Sequence, residues 1–315
     1  MPVAKRPIDA APMGDSTMKT FTDKVAAITG AGSGMGRSLA LELARRGAHL
    51  ALSDIDEAGV TDTAIACRAF GVRVTSQRLD VADREAVFDW AREAAAAHGK
   101  VNLIFNNAGV SLSVPVATAR HEDFTWLMDI NFWGVVHGTQ AFLPYLSASG
   151  DGHVVNTSSL FGLIAMPTQS AYNASKFAVR GFTEALRMEL DLANAPVSCT
   201  CVHPGGVATK IVQASRIDDS IAALTGVDAL THRQRANQLI DVTSADDAAR
   251  QMLAGVERNA RRVLVGPDAR RVDKLARLLG ARYQGMVVWF YRRTAMSRRP
   301  SSNKGRATTR PTTPQ

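Results

Sequence analysis

Residues 24–54 read KVAAITGAGSGMGRSLALELARRGAHLALSD, and this stretch decides the fold. A short apolar run, Lys24 to Thr29, meets the turn Gly30-Ala31-Gly32-Ser33-Gly34-Met35-Gly36, which opens at once onto a helical pattern from Ser38 to Arg46. Strand, glycine turn and helix in that order put backbone N–H groups and the positive end of a helix dipole where both can meet a pyrophosphate. A glycine-rich string alone is a weak sign. Here a second strand-like run, Ala48 to Ser53, follows and ends in Asp54, eighteen residues beyond Gly36, where a carboxylate accepts hydrogen bonds from adenosine ribose hydroxyls. Asp54 would repel a 2′-phosphate, and the glycine loop offers no Arg or Lys before Arg37 to receive one. The expected cofactor is therefore NAD, with NADP disfavoured.

Outward from this unit, strand-like runs alternate with helical ones. Val72 to Leu79 ends in Asp80-Val81, Arg84 to His98 is Ala-rich and helical, and Val101 to Phe105 is apolar. Asp123 to Leu146 has helical periodicity and is expected to break late, at Pro144, with Trp126 and Trp133 in the core. Val197 to Val202 and Arg262 to Val265 read as further strands. The alternation implies an α/β fold with a parallel, doubly wound sheet. With 315 residues, 46% hydrophobic and 21% charged, the chain suits one domain of about 250 residues with extensions. Cys67, Cys199 and Cys201 are too scattered for a disulfide framework or a metal loop. They read as reduced core thiols of a cytoplasmic protein. The net charge of +8 hides an asymmetry: residues 269–315 carry +11 and the rest −3. Basicity confined to a tail gives the body no reason to seek nucleic acid.

The chemistry is concentrated in Asn156 to Lys176, NTSSLFGLIAMPTQSAYNASK. Tyr172 and Lys176 are four apart in a helical pattern and so share a face. An ammonium beside a phenol favours the phenolate and lowers its pKa from about 10. Taken alone, such a pair is more often an ordinary solvated contact. Ser158-Ser159, however, follows a strand-like run from His153 to Thr157, and α/β sheets place their chemistry at such strand ends. Asn131 adds a mild independent sign, because Asn is a poor choice inside a helix.

At this point the chain resembles the short-chain dehydrogenase/reductase family over about residues 22–266. The motifs occur in order: Thr29-Gly30-x-x-x-Gly34-x-Gly36, Asn106-Asn107-Ala108-Gly109, Asn131, Ser159, Tyr172-x-x-x-Lys176 and Pro204-Gly205. The resemblance implies a Rossmann-type seven-stranded parallel sheet of order 3-2-1-4-5-6-7. It also implies Asn131, Ser159, Tyr172 and Lys176 as the catalytic set, with Tyr172 moving the proton, Ser159 holding the substrate oxygen and Asn131 anchoring a water. Lys176 would hold ribose hydroxyls and lower the Tyr172 pKa. The implied cofactor contacts are Gly30, Ser33, Gly34, Met35, Gly36, Asp54, Asp80, Val81, Asn107, Ala108, Gly109, Tyr172, Lys176, Pro204, Gly205, Val207 and Thr209. Ser158 is then left to cap or pack the loop, and His203, where a polar residue near the nicotinamide is expected, reads more often as a structural histidine.

Substrate contacts are expected from Ser159, Phe161, Met166 and Tyr172, in surroundings made apolar by Leu112, Leu163, Ile164 and Val207. A small apolar or lipid-like alcohol or carbonyl compound is therefore expected, under a lid spanning about residues 209–241. Two other readings are an NADP-dependent carbonyl reductase and a non-catalytic cofactor-binding protein on the same fold. Residues 1–20 are expected to be a disordered leader, with Met13 or Met18 as an alternative start, and 296–315 a disordered tail. Residues 269–295 read as one basic amphipathic helix, packing on the body or a partner, or lying on the inner face of an anionic membrane. Assembly as a homodimer or homotetramer is expected.

Overall fold

The computed structural model describes residue 18 and residues 20–296; the expectations for a leader before Met18 and a tail after Met296 lie outside them. Met18 itself, which falls within the expected leader, is buried in the core.

Seven strands form one parallel sheet: β1 (Val25–Thr29), β2 (His49–Asp54), β3 (Val74–Arg78), β4 (Leu103–Asn106), β5 (Gly152–Thr157), β6 (Val197–Pro204) and β7 (Arg262–Val265). Their spatial order is 3-2-1-4-5-6-7, as expected. The order reverses beside β1, and the carboxyl ends of β1 and β4 flank a crevice of the kind in which doubly wound sheets bind ligands. Strands buried on both faces require apolar runs rather than alternation, and β1, β4 and β6 are buried throughout.

Helices cover both faces. On one side α1 (Gly34–Arg45), α2 (Glu57–Arg68) and, much later in the chain, α9 (Ala245–Glu257) bury Leu39, Leu43, Val60 and Met252 against the sheet. On the other, α3 (Arg84–His98), α5 (Gly134–Ala148) and α6 (Ser170–Leu192) contribute Trp90, Phe142 and Leu186, with the Trp90 and Phe142 rings edge to face at 4.9 Å. Full burial of such a side chain contributes about 1.5–3 kcal/mol. The three cysteines are free and buried.

The segment before β5 differs from expectation. Pro144 lies inside α5 without ending it. A proline there leaves the carbonyl four residues back without its helical partner, and Gln140 is exposed, so water can satisfy that group. The interruption comes earlier: α4 (His121–Met128) passes into a π-helical turn, Asp129–Trp133, and only then into α5. Trp133 is 47% exposed rather than in the core, and Trp126 is half-buried beneath the Arg216 guanidinium, 3.6 Å from its ring centroid.

Two further segments frame the site. Between β6 and α9, Arg216–Ile217 pairs in parallel with Leu112–Ser113, and α7 (Ile221–Thr225) and α8 (Ala229–Ile240) follow. After β7, α10 (Pro267–Leu279) and α11 (Tyr283–Met296) are separated by a short turn at Gly280–Arg282. One continuous helix was expected here; Gly280 takes φ +53° and breaks it.

Candidate active site

The glycine turn brings two backbones closer than any side chain permits. A Cβ on Gly36 would lie 1.9 Å from the Gly30 carbonyl oxygen, and one on Gly30 would lie 2.8 Å from Ala108 Cα. The turn is stitched to the loop after β4. Thr29 Oγ1 accepts from the N–H groups of Asn107 (3.0 Å) and Ala108 (3.1 Å), and Asn107 Nδ2 donates to the carbonyls of Thr29 (3.1 Å) and Gly30 (3.3 Å). The Asp54 carboxylate closes the other side, accepting from Gly32 N–H at 2.8 Å and Asp56 N–H at 3.0 Å. Ser33 precedes α1 with no capping bond from its side chain, and Gly34 lies against the Thr209 side chain. Farther out, Asp80 is exposed and accepts from Ala82 N–H, while Val81 is buried against Gly134.

The side chains of the expected catalytic set meet where β5 ends. Ser159 Oγ accepts from Phe161 N–H at 3.1 Å and lies near enough to the Tyr172 phenol to act on its pKa. The Phe161 ring stands edge-on to Tyr172, 6.1 Å between centroids. Ser158 is turned away, donating to the Lys176 carbonyl at 2.8 Å. Lys176 Nζ donates to Thr157 O at 3.0 Å and lies 5.7 Å from the Tyr172 ring centroid. Asn131 owes its place to the π-turn, a feature that recurs at functional sites. Its Oδ1 accepts from Val110 N–H (2.8 Å), and its Nδ2 donates to Val110 O (2.9 Å) and Ser175 Oγ (3.3 Å). A Cβ on Gly109 would fall 3.2 Å from Asn131 Oδ1 and 3.5 Å from Lys176 Nζ, so Asn131 clamps the β4 loop against the lysine. His203 is buried with Nδ1 2.9 Å from the Ser159 carbonyl. Burial pulls its pKa down to about 4, so at neutral pH the ring is uncharged, with Nδ1–H as the donor.

Electrostatics depart from the simple expectation for the tyrosine and lysine pair. Burial raises the Tyr172 phenol above its ordinary value, an effect the nearby Ser159 hydroxyl only partly offsets. Burial also pulls Lys176 down to about 8. An ammonium that loses its charge near pH 8, held at a carbonyl beside the ring, is a weak stabiliser of phenolate.

A cavity of about 820 Å³ opens over Ser159, Tyr172 and Lys176. Asn107, Gly109, Met35, Pro204, Gly205, Val207 and Thr209 border it toward the glycine turn, and Phe161, Ile164 and Met166 on the other side. Asn131 lies behind this surface; Gly30, Gly36, Asp54, Asp80 and Val81 lie farther along the carboxyl edge of the sheet. Leu112 and Leu163, expected beside the substrate, are not on the cavity wall, and Leu112 packs instead with Val114 and Leu127. Several contributors lie outside the site residues proposed from the sequence, although Thr29 itself opens the glycine motif. Thr29 joins the β1 and β4 loops; Asp268, at the start of α10, accepts from Gly206 N–H at 2.6 Å; and Val272, Phe290 and Tyr291 of the C-terminal helices line the cavity.

The groove fits a nicotinamide dinucleotide: the side-chain-free approach of Gly30 and Gly36 leaves room for phosphates at the α1 N-terminus, and Asn107 Oδ1 is buried with no partner among the described residues. Fold and site together define a dinucleotide-binding oxidoreductase. A family profile described as short chain dehydrogenase matches residues 24–220, and the chain belongs to that family. It is 49% identical over 271 residues to a Mycobacterium tuberculosis protein provisionally named oxidoreductase SadH, spanning 86% of this chain and 96% of that one. It is 33% identical over 196 residues to human estradiol 17-beta-dehydrogenase 11, spanning 62% of this chain and 65% of that protein. Among solved structures, a short-chain dehydrogenase/reductase from Burkholderia phymatum in complex with NAD superposes with a TM-score of 0.76 at 33% identity, covering 83% of this chain and 95% of that one.

Proposed function

We propose that the protein is an NAD(H)-dependent oxidoreductase interconverting an alcohol and a ketone or aldehyde on an apolar, lipid-like substrate. The observation that carries this reading is the meeting of Ser159, Tyr172 and Lys176 on one cavity walled by Phe161, Ile164 and Met166. A bound nicotinamide supplies the hydride acceptor or donor. The chain supplies the proton chemistry and the positioning. Tyr172 moves the proton to or from the substrate oxygen, ordinarily worth about 10²–10⁴ in rate. Ser159 donates to the same oxygen as charge develops on it. Lys176 adds positive charge beneath the phenol, Asn131 holds the Gly109 loop against it, and His203 fixes the Ser159 carbonyl. The apolar walls limit water around the reacting carbon. The human relative's name refers to estradiol, an apolar alcohol, which agrees with this substrate class. A panel of alcohols and ketones of increasing chain length, followed by NADH absorbance, tests the assignment; no turnover with any member would reject it.

Asp54 carries the choice of NAD. With a carboxylate held at the end of β2, a ribose 2′-hydroxyl finds an acceptor and a 2′-phosphate finds repulsion, and the Burkholderia relative was solved with NAD. Hydrogen bonds to charged groups contribute about 1.5–3 kcal/mol, so Asp54→Ala is expected to weaken NAD about ten- to hundredfold and to raise the ratio of NADP to NAD efficiency. A wild-type enzyme that prefers NADP would overturn this.

The outer face of the C-terminal helices supports a peripheral location on an anionic membrane. No described helix is long and apolar enough to cross a bilayer. Leu278, Met286, Val288 and Trp289 are nevertheless exposed, with Arg282, Arg292 and Arg293 beside them, and each basic residue near an anionic surface adds about 1 kcal/mol. Flotation at low salt is expected with anionic vesicles and not with neutral ones. Protein that stays in solution with both would end this proposal.

A further inference from the structure

The C-terminal helices do more than trail from the dehydrogenase body. They are fastened at two points beside the chemistry. At the root of α10, Asp268 accepts from Gly206 N–H in the loop that ends β6. At the head of α11, the Tyr283 hydroxyl accepts from Ala165 N–H at 2.9 Å. Ala165 belongs to the loop joining Ser159 to α6, and that loop carries Met166, whose carbonyl is held from the opposite side by Asn173 Nδ2 at 2.9 Å. The break at Gly280 turns the chain, so that Val272 on α10 and Phe290 and Tyr291 on α11 come to line the same cavity as Ser159 and Tyr172. Tyr291 is half-buried there, and Phe290, 53% exposed, stands at the rim.

We propose that α10 and α11 form the distal wall of the substrate cavity, and that Val272, Phe290 and Tyr291 determine specificity by receiving the apolar tail of the substrate. The reacting carbon must lie at Ser159 and Tyr172, so a short substrate is held by the catalytic floor alone. A longer one has its far carbons desolvated by the arm, each buried methylene adding to binding as it leaves water. This inference rests on the alcohol and ketone reading above. It also changes what loss of the arm would do: selectivity for chain length goes with it, besides any change in location.

The test uses full-length enzyme with NAD and the secondary alcohols from 2-butanol to 2-dodecanol. For the double variant Phe290→Ala/Tyr291→Ala, the ratio of kcat/KM for 2-dodecanol to that for 2-butanol is expected to fall at least about tenfold. Val272→Phe, which fills the cavity from the α10 side instead of emptying it, should also lower the ratio, by imposing a length cut-off. Unchanged NADH affinity and melting temperature identify correctly folded variants. Calorimetric binding of 2-dodecanone separates the two levels of the argument. If the wild type turns over no alcohol but binds the ketone, and both variants weaken that binding, the reaction assignment fails while the wall stands. A ratio or ketone affinity unchanged in both folded variants, or a wild type that neither binds nor turns over any member, overturns the wall.

Discussion

Tyr172→Phe is expected to lower kcat/KM by about 10²–10⁴-fold, the contribution of one well-placed acid or base, while NADH affinity changes little. The phenylalanine ring keeps the edge-on contact with Phe161 and removes only the hydroxyl beside Ser159. The pH dependence follows from what burial does to the two neighbours. In the reducing direction Tyr172 must start protonated, and a phenol raised above its usual value is fully loaded at neutral pH, so the rate is flat there and falls only in alkali. In the oxidising direction it must start as phenolate, so the rate climbs as pH rises. Lys176, pulled down to about 8, loses its charge over the upper part of that climb and with it any help to the phenolate, which makes the rise shallower than one group alone would give. The comparison is of pH–rate profiles in both directions for wild type and variant. Substantial activity in Tyr172→Phe with the same profile would remove Tyr172 from the proton step.

What could be read from sequence was local or motif-borne. The β1 run, the glycine turn and Asp54 lie within 31 consecutive residues, where periodicity and spacing speak directly. The lysine and tyrosine share a helix face for the same reason. What could not be read depends on contacts far apart in the chain. Asp268 meets Gly206 across 62 residues and Tyr283 meets Ala165 across 118, and neither end carries a local pattern that names the other. A Gly-Pro-Asp sequence announces a helix start, yet says nothing of which loop the acid will hold. Pro144 was misleading because its helix turns an exposed residue, Gln140, toward the missing hydrogen bond, an accommodation that depends on tertiary orientation. The expected fall of the Tyr172 pKa failed on burial, since helical spacing fixes where Lys176 lies but not how dry its surroundings are.

Gly36→Ala should be the most damaging single-methyl change in the molecule's cofactor groove. The added Cβ would sit 1.9 Å from the Gly30 carbonyl oxygen and 2.7 Å from its carbonyl carbon, with Asn107 Nδ2 also at 2.7 Å. Two of these three atoms are backbone, so no rotamer change relieves the clash; the turn itself must open by about 1 Å or more. Opening it breaks the hydrogen bonds from Asn107 Nδ2 to Thr29 and Gly30 and moves the α1 N-terminus away from any phosphate. Overpacking of a tight site costs about 1–3 kcal/mol and sometimes more, and this site stands at the upper end. NADH affinity, followed by fluorescence titration, is expected to fall about a hundredfold, with a lowered melting temperature. Gly181→Ala supplies the contrast. It lies within α6, where an added Cβ meets nothing within 4 Å, so alanine there should stabilise by about 0.5–1 kcal/mol through helix propensity and leave NADH binding alone. The same methyl group is thus expected to act with opposite sign at two glycines, one chosen for its close approach to backbone and one merely tolerated. Wild-type NADH affinity in Gly36→Ala would show that the β1 turn does not cradle the cofactor.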